Sequence, residues 1–172
     1  MSVVAVLIGP PGAGKTTVGR RLAARLQVPF VDTDHLVEQE AGASISDIFV
    51  EQGEQAFRAL EAAAVARGLQ GDGVLALGGG AAMHPGTGEL LRGAPVVFLD
   101  VTIKDAAGRV GFDGSRPLLA VNPRATWTRM MDARRPTYEA LATWRVDTGG
   151  RKIAEVVEQV AELIEPGGAG PA

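Results

Sequence analysis

At 172 residues, 46% of them hydrophobic and 22% charged, the chain has the size and composition of one globular domain with a real core, which excludes intrinsic disorder as its default state. A net charge of −3 excludes nucleic-acid binding by bulk positive charge, so no nucleic-acid partner is expected, although a local basic pocket is still open to it. Cysteine is absent, which removes disulfides, thiolate metal sites and a cysteine nucleophile.

Val3 to Ile8 is a continuous, β-branched-rich apolar run, the pattern of a strand buried on both faces. It is too short to span a bilayer and no basic region precedes it, so no membrane partner and a cytoplasmic location are expected. From Lys15 the period turns helical, with Val18, Leu22 and Leu26 recurring every fourth residue. Residues 28–31 predict a second short strand ending at Asp32. Ser44 and Asp47 form a capping box ahead of Ile48 and Phe49, and an alanine-rich helical stretch follows over residues 54–67. A third strand over residues 74–77 is broken by Gly78-Gly79-Gly80, a fourth covers residues 96–99, and a helix is predicted over residues 104–110. Residues 111–123 mix glycine, proline and polar side chains and read as a loop. A long helix over residues 124–142, a last short strand over residues 145–147 and an amphipathic helix over residues 152–164 follow, and the tail at residues 166–172 is expected to be disordered. Strands alternating with helices, without a repeat or an interdomain linker, define a single α/β domain over residues 1–165 built on a parallel sheet.

Directly after the first strand, Gly9-Pro10-Pro11-Gly12-Ala13-Gly14-Lys15-Thr16 matches G-x-x-x-x-G-K-[ST], and the helix that must follow it is there. The glycines allow successive backbone N–H groups to wrap a phosphate, and the helix start adds its positive dipole end. In such a loop Lys15 reaches the β- and γ-phosphates and the Thr16 hydroxyl can ligate Mg²⁺. The strand breaks in order to present donors to a nucleoside triphosphate.

A guanine-specific switch would carry N-K-x-D, but the asparagine of this sequence is Asn122, in "NPRA". A motor ATPase would need a longer chain and an acid after the third strand, where "VLALGGG" has glycines. A small-molecule kinase is what these exclusions leave. Asp32 and Asp34 of "DTD" fall at the carboxyl edge of the sheet, where α/β proteins bind ligands. One can assist Mg²⁺ while the other orients or deprotonates a substrate hydroxyl; the competing role is helix N-capping. Arg58 in "EQAFRALE", Arg116 in "SRPLL" and Arg135 in "ARRPTYE" each have the ordinary reading of a solvated arginine, but a site that grips phosphate and an acidic substrate needs several such forks.

Taken in order, "GPPGAGKTT", "DTD", "FR", "LALGGG", "SRPLL" and "RRPTYE" closely resemble the bacterial shikimate kinases, over almost the whole chain. The resemblance implies a single-domain P-loop kinase with a five-stranded parallel sheet flanked by helices and a mobile lid, here at about residues 111–123. It implies ATP- and Mg²⁺-dependent phosphorylation of the 3-hydroxyl of shikimate, on the route to chorismate and the aromatic amino acids, by a monomer. Carried over by motif, Gly12, Ala13, Gly14, Lys15, Thr16 and Thr17 would bind ATP, with Lys15 on the transferring phosphate and Thr16 on the metal. Asp32 would support the metal through water, and Asp34 would hold the shikimate hydroxyls and act as base. Arg58 and Arg135 would grip the carboxylate, and Gly78, Gly79 and Gly80 would let the backbone approach the ring, with Gly79 donating a hydrogen bond. Arg116 would close onto the phosphates as a catalytic lid residue. The adenine-stacking residue is Arg109, Arg151 or Lys152, with Arg109 favoured. Phe49 and Phe57 match positions on the apolar side of the substrate pocket, with core packing as the competing role. Trp127 stands where a polar residue is expected. The alternatives are another hydroxy-acid kinase of this fold, such as gluconate kinase, and a nucleotide-binding regulatory module without catalysis.

Overall fold

Five strands pair into one sheet, the inner three rich in aliphatic residues: β1 (Val3–Ile8), β2 (Phe30–Asp32), β3 (Gly73–Ala76), β4 (Val96–Asp100) and β5 (Trp144–Asp147). The computed structural model describes residues 2–110 and 122–165. Most of the lid expected at residues 111–123, Arg116 with it, lies outside the described residues, as does the tail expected at residues 166–172. The strand order is β2-β3-β1-β4-β5 and every pair is parallel. All of β3 and β4 is buried, and β1 is buried from Ala5 onward, which is why these segments carry uninterrupted apolar runs. The first strand of the chain thus lies in the middle, with β3 on one side and β4 on the other. From β1 the chain crosses to the edge strand β2, returns to β3 beside β1, and then passes to β4 and β5 on the other side, so the connections diverge around β1 and the ligand crevice opens at its carboxyl end.

Helices fill the crossovers: α1 (Lys15–Leu26), α2 (Thr33–Ala41), α3 (Ile45–Leu69), α4 (Pro85–Leu90), α5 (Ile103–Val110), α6 (Pro123–Leu141) and α7 (Ile153–Ile164). Ser44 caps α3, its hydroxyl accepting the Asp47 N–H at 3.1 Å, as the capping box predicts. The helix is bent at Gly53 (φ 86°, ψ 170°), so the stretch over residues 54–67 reads in sequence as a helix of its own. Two helices were not anticipated. In α2 only Thr33 and Val37 are buried, too few to set a period, and α4 is a six-residue helix with two glycines in "PGTGEL".

The main core gathers Leu7, Ile8, Leu22, Leu75, Phe98 and Leu99 around the sheet, with the ring of Tyr138 among them. A smaller cluster of Val37, Ile48, Phe57 and Ala64 joins α2 to α3. Phe49, half-buried, packs on it with its ring centroid 4.8 Å from that of Phe57, so Phe57 belongs to this core and Phe49 lies at its edge. No described helix is long and apolar enough to cross a membrane.

Gly73 opens β3 at φ +85°, and a Cβ there would overlap the Pro29 carbonyl. That carbonyl accepts the Val74 N–H at 2.9 Å, so it cannot withdraw without loosening the entry to β2. Gly73→Ala is therefore expected to cost about 2–4 kcal/mol in urea unfolding, from strain and displacement together. A loss below about 1 kcal/mol would show that the backbone yields instead.

Candidate active site

The P-loop closes over the end of β1. A Cβ on Gly9 (φ +149°) would run into the Leu99 carbonyl of β4, and Gly14 takes the left-handed conformation (φ 94°) just before α1. The Lys15 ammonium donates to Gly9 O at 2.7 Å and to Pro10 O at 3.1 Å, which holds the cation over the loop. A cavity of about 430 Å³ lies here, lined among others by Gly12, Ala13, Gly14, Lys15, Thr16 and Thr17, with Asp32, Asp34, Arg109 and Arg151 on its walls.

The two acids of "DTD" are divided between tasks by backbone geometry. Asp32 is the N-cap of α2 and accepts the Asp34 N–H through Oδ1 at 2.9 Å. Its other oxygen, Oδ2, accepts the Thr16 hydroxyl at 2.9 Å, so capping and the expected metal position coincide in one carboxylate. Asp34, on the first turn of α2, lies over Gly78: a Cβ on that glycine would collide with the Asp34 carboxylate. Gly78 N–H in turn donates to the Thr33 hydroxyl at 2.9 Å, which pins the glycine turn to the start of α2.

Arg109 donates to Gly12 O at 3.0 Å and to both Thr148 Oγ1 and Thr148 O, at 3.0 and 2.7 Å. It thereby bridges the P-loop to the segment after β5. Arg151 donates to Asp147 O at 2.9 Å and to the Gln159 side chain, on the same wall of the cavity. Lys152 is the N-cap residue of α7 and is not among the residues lining that cavity.

The expected pairing of Arg58 with Arg135 requires correction. Arg58 donates to Glu61 at 2.8 Å and stands against Gly80, whose Cβ would overlap its guanidinium. Arg135 faces elsewhere and is held by both oxygens of Asp100, at 2.8 and 3.0 Å. The arginine that joins Arg58 is Arg134, which shares with it, Gly80 and His84 the lining of a second cavity of about 350 Å³. The cause is helical phase. Trp127, Met131 and Tyr138 are the buried residues of α6, and Arg134 falls on their stripe at i, i+4, i+7 and i+11, whereas Arg135 is turned a further 100° around the axis. That signal was in the sequence. Trp127 is explained as well: its indole N–H donates to Pro11 O at 2.9 Å, tying α6 to the P-loop.

Burial pushes the Glu61 carboxyl above its ordinary value, and the hydrogen bond from Arg58 only partly opposes this. Burial also pushes Asp100 upward, but hydrogen bonds from Arg135 and Arg145 outweigh it and hold that carboxyl below the ordinary range. Among the described residues no cluster of three or more His, Asp or Glu side chains could hold a metal ion. Thr16 and Asp32 together offer the hard oxygen donors that suit Mg²⁺, an ion that keeps several waters and phosphate oxygens in its shell.

A P-loop opening onto a second, arginine-lined cavity across a glycine turn defines a phosphotransferase that acts on a small acidic molecule. The family model for shikimate kinase matches residues 11–165. The chain is 53% identical over 165 residues to the shikimate kinase of Salinispora arenicola, covering 95% of this chain and 99% of that one. It is 48% identical over 168 residues to that of Rhodococcus jostii, covering 96% and 100%. Among solved structures, the shikimate kinase from Acinetobacter baumannii in complex with shikimate superposes with a TM-score of 0.88 at 33% identity, covering 96% of this chain and 94% of that chain. The protein belongs to the shikimate kinase family.

Asp100→Asn is expected to destabilise the fold by roughly 2–3 kcal/mol, less than for a fully buried pair because both guanidinium groups are partly exposed. A carboxyl held below its ordinary value contributes stability that is present above the unfolded pKa and is lost as pH falls through the folded value. The melting-temperature gap between wild type and variant should therefore be widest near neutral pH and narrow as pH falls below about 4. A gap independent of pH would show that the carboxylate charge is not what the arginines need.

Proposed function

We propose that the protein transfers the γ-phosphoryl group of ATP to the 3-hydroxyl of shikimate, releasing ADP and shikimate 3-phosphate. The observation that carries this reading is the placement of Asp34 beside the glycine turn, between the P-loop on one side and the Arg58–Arg134 pair on the other. Such a site takes a substrate that has a hydroxyl at one end and a carboxylate at the other.

In this mechanism the two guanidinium groups hold the shikimate carboxylate with charge-assisted hydrogen bonds, and so fix which hydroxyl meets Asp34. Asp34 accepts the proton of the 3-hydroxyl as its oxygen bonds to the γ-phosphorus, while the bond from that phosphorus to the β–γ bridging oxygen breaks. Lys15 and the backbone N–H groups of residues 12–17 balance the charge that develops on the phosphoryl oxygens and on departing ADP. Thr16, and Asp32 through water, would hold Mg²⁺, which when bound neutralises the β- and γ-phosphates. Arg109 and Arg151 lie on the wall where the adenine end of ATP would rest. The product fits a place in aromatic amino-acid biosynthesis.

A coupled ADP-release assay with shikimate and gluconate side by side tests the assignment directly, and turnover with gluconate alone would overturn it. Asp34→Asn should bind ATP as wild type does yet lose about 10²-fold or more in kcat, because an amide cannot take the proton. Wild-type turnover in that variant would remove Asp34 from the chemistry. Arg58→Lys and Arg134→Lys keep the charge but lose the planar fork, and should raise the KM for shikimate about tenfold or more with little change for ATP. Arg135→Lys should lower thermal stability and leave the shikimate KM near wild type; the reverse outcome would restore Arg135 to the substrate site.

A further inference from the structure

The two ends of the glycine turn are held by the Gly78 N–H bond to Thr33 and by the start of the segment that follows. Gly78 O accepts the Ala81 N–H at 3.0 Å and Gly80 O accepts the Met83 N–H at 3.1 Å, but Gly79 O is turned toward α6. There it accepts the Tyr138 hydroxyl at 2.6 Å. Tyr138 is fully buried, with its ring stacked on Phe98 at a centroid separation of 5.2 Å. One helical turn earlier on the same face comes Arg134, which bears on the same phenol oxygen. Its Nη1 is also the nearest atom, at 3.2 Å, to the place where a Gly79 side chain would stand. A phenol has one proton to donate and lone pairs to accept with, so it can serve the Gly79 carbonyl and the Arg134 guanidinium together.

We propose that Tyr138 is a positioning residue for the substrate carboxylate: its buried hydroxyl fixes both the Arg134 guanidinium and the peptide plane between Gly79 and Gly80. The proposal rests on the reading of Arg58 and Arg134 as the carboxylate clamp. Two flexible groups meet at this point. With glycine on both sides, the peptide plane between Gly79 and Gly80 has wide torsional freedom, and an arginine on a long stem samples many rotamers. A rigid phenol, clamped by its stack on Phe98, removes both freedoms before substrate arrives, and pre-organisation of that kind appears in binding rather than in chemistry.

Tyr138→Phe keeps the ring and its stack and deletes only the hydroxyl. The expected result is a shikimate KM raised about fivefold or more, with the ATP KM within about twofold and kcat changed less than the shikimate KM. A role confined to stability would lower the melting temperature while leaving both KM values in place. Arg134→Lys, made alone and in the Tyr138→Phe background, completes a cycle. If the phenol works through Arg134, the double variant raises KM by less than the product of the single effects. A shikimate KM within about twofold of wild type in Tyr138→Phe, when Arg134→Lys alone raises it, overturns this proposal and leaves the carboxylate clamp standing. An unchanged shikimate KM in Arg134→Lys overturns the clamp and this proposal with it. Purely multiplicative effects overturn the route through Arg134.

Discussion

A side chain on Gly9 would drive into the Leu99 carbonyl of the neighbouring strand, and the arrangement of the carboxyl edge depends on that absence. β1 lies inside the sheet, so the chain leaving it cannot swing aside and must pass close over β4 before turning into α1. The tight passage throws Pro11 outward, where its ring comes within 3.4 Å of a Cβ placed on Gly79 and its carbonyl receives the Trp127 indole. Gly79 is thus packed between Pro11 and Arg134, and the loop that would cradle a nucleotide touches the turn that would face the second substrate. A phosphoryl group can be passed between two bound molecules only if their cradles stand this close.

The second organiser is α6. A helix of this kind ordinarily buries an apolar stripe, and Trp127, Met131 and Tyr138 follow that rule by burial. Two of them carry polar tips, and both tips end on backbone carbonyls of the ligand-facing loops: Pro11 for the indole and Gly79 for the phenol. Aromatic residues suit this task because the ring anchors in the core while one donor reaches the surface of the site. The helix therefore sets the spacing between P-loop and glycine turn with the same contacts that stabilise it.

Much of this was legible in the sequence because it rests on short-range geometry. The P-loop is read from a spacing that must lie between a buried strand and a helix, the inner strands β1, β3 and β4 from their apolar runs, and the start of α3 from Ser44 and Asp47. What was missed depended on longer-range placement. Arg134 and Arg135 are adjacent and chemically identical, and only the phase of α6 distinguishes them; a motif match ignores phase, whereas the stripe of Trp127, Met131 and Tyr138 does not. Trp127 resists a reading from sequence for another reason, since its partner lies 116 positions away on a carbonyl that any residue could have supplied. The short α2 and α4 bury too few side chains to leave a periodic trace.

Two buried carboxylates show why neighbouring arginines end in different roles. Asp100 receives both terminal nitrogens of Arg135, one on each oxygen, and Arg145 as well. That end-on fork consumes the geometry with which Arg135 could clasp a second carboxylate, so it ties α6 to the end of β4, which Arg145 of β5 also grips. Glu61 engages Arg58 through one nitrogen at 2.8 Å, and the exposed Glu54 stands only at 3.5 Å from the other terminal nitrogen, a looser contact that an incoming anion can displace. The Glu61 carboxyl, raised by burial, is also the weaker competitor for the arginine. A carboxylate that holds an arginine too well removes it from ligand binding, and one that holds it through a single edge aims it. The difference between Asp100 and Glu61 is therefore a difference in how many donors each takes, and it decides which arginine can meet a substrate.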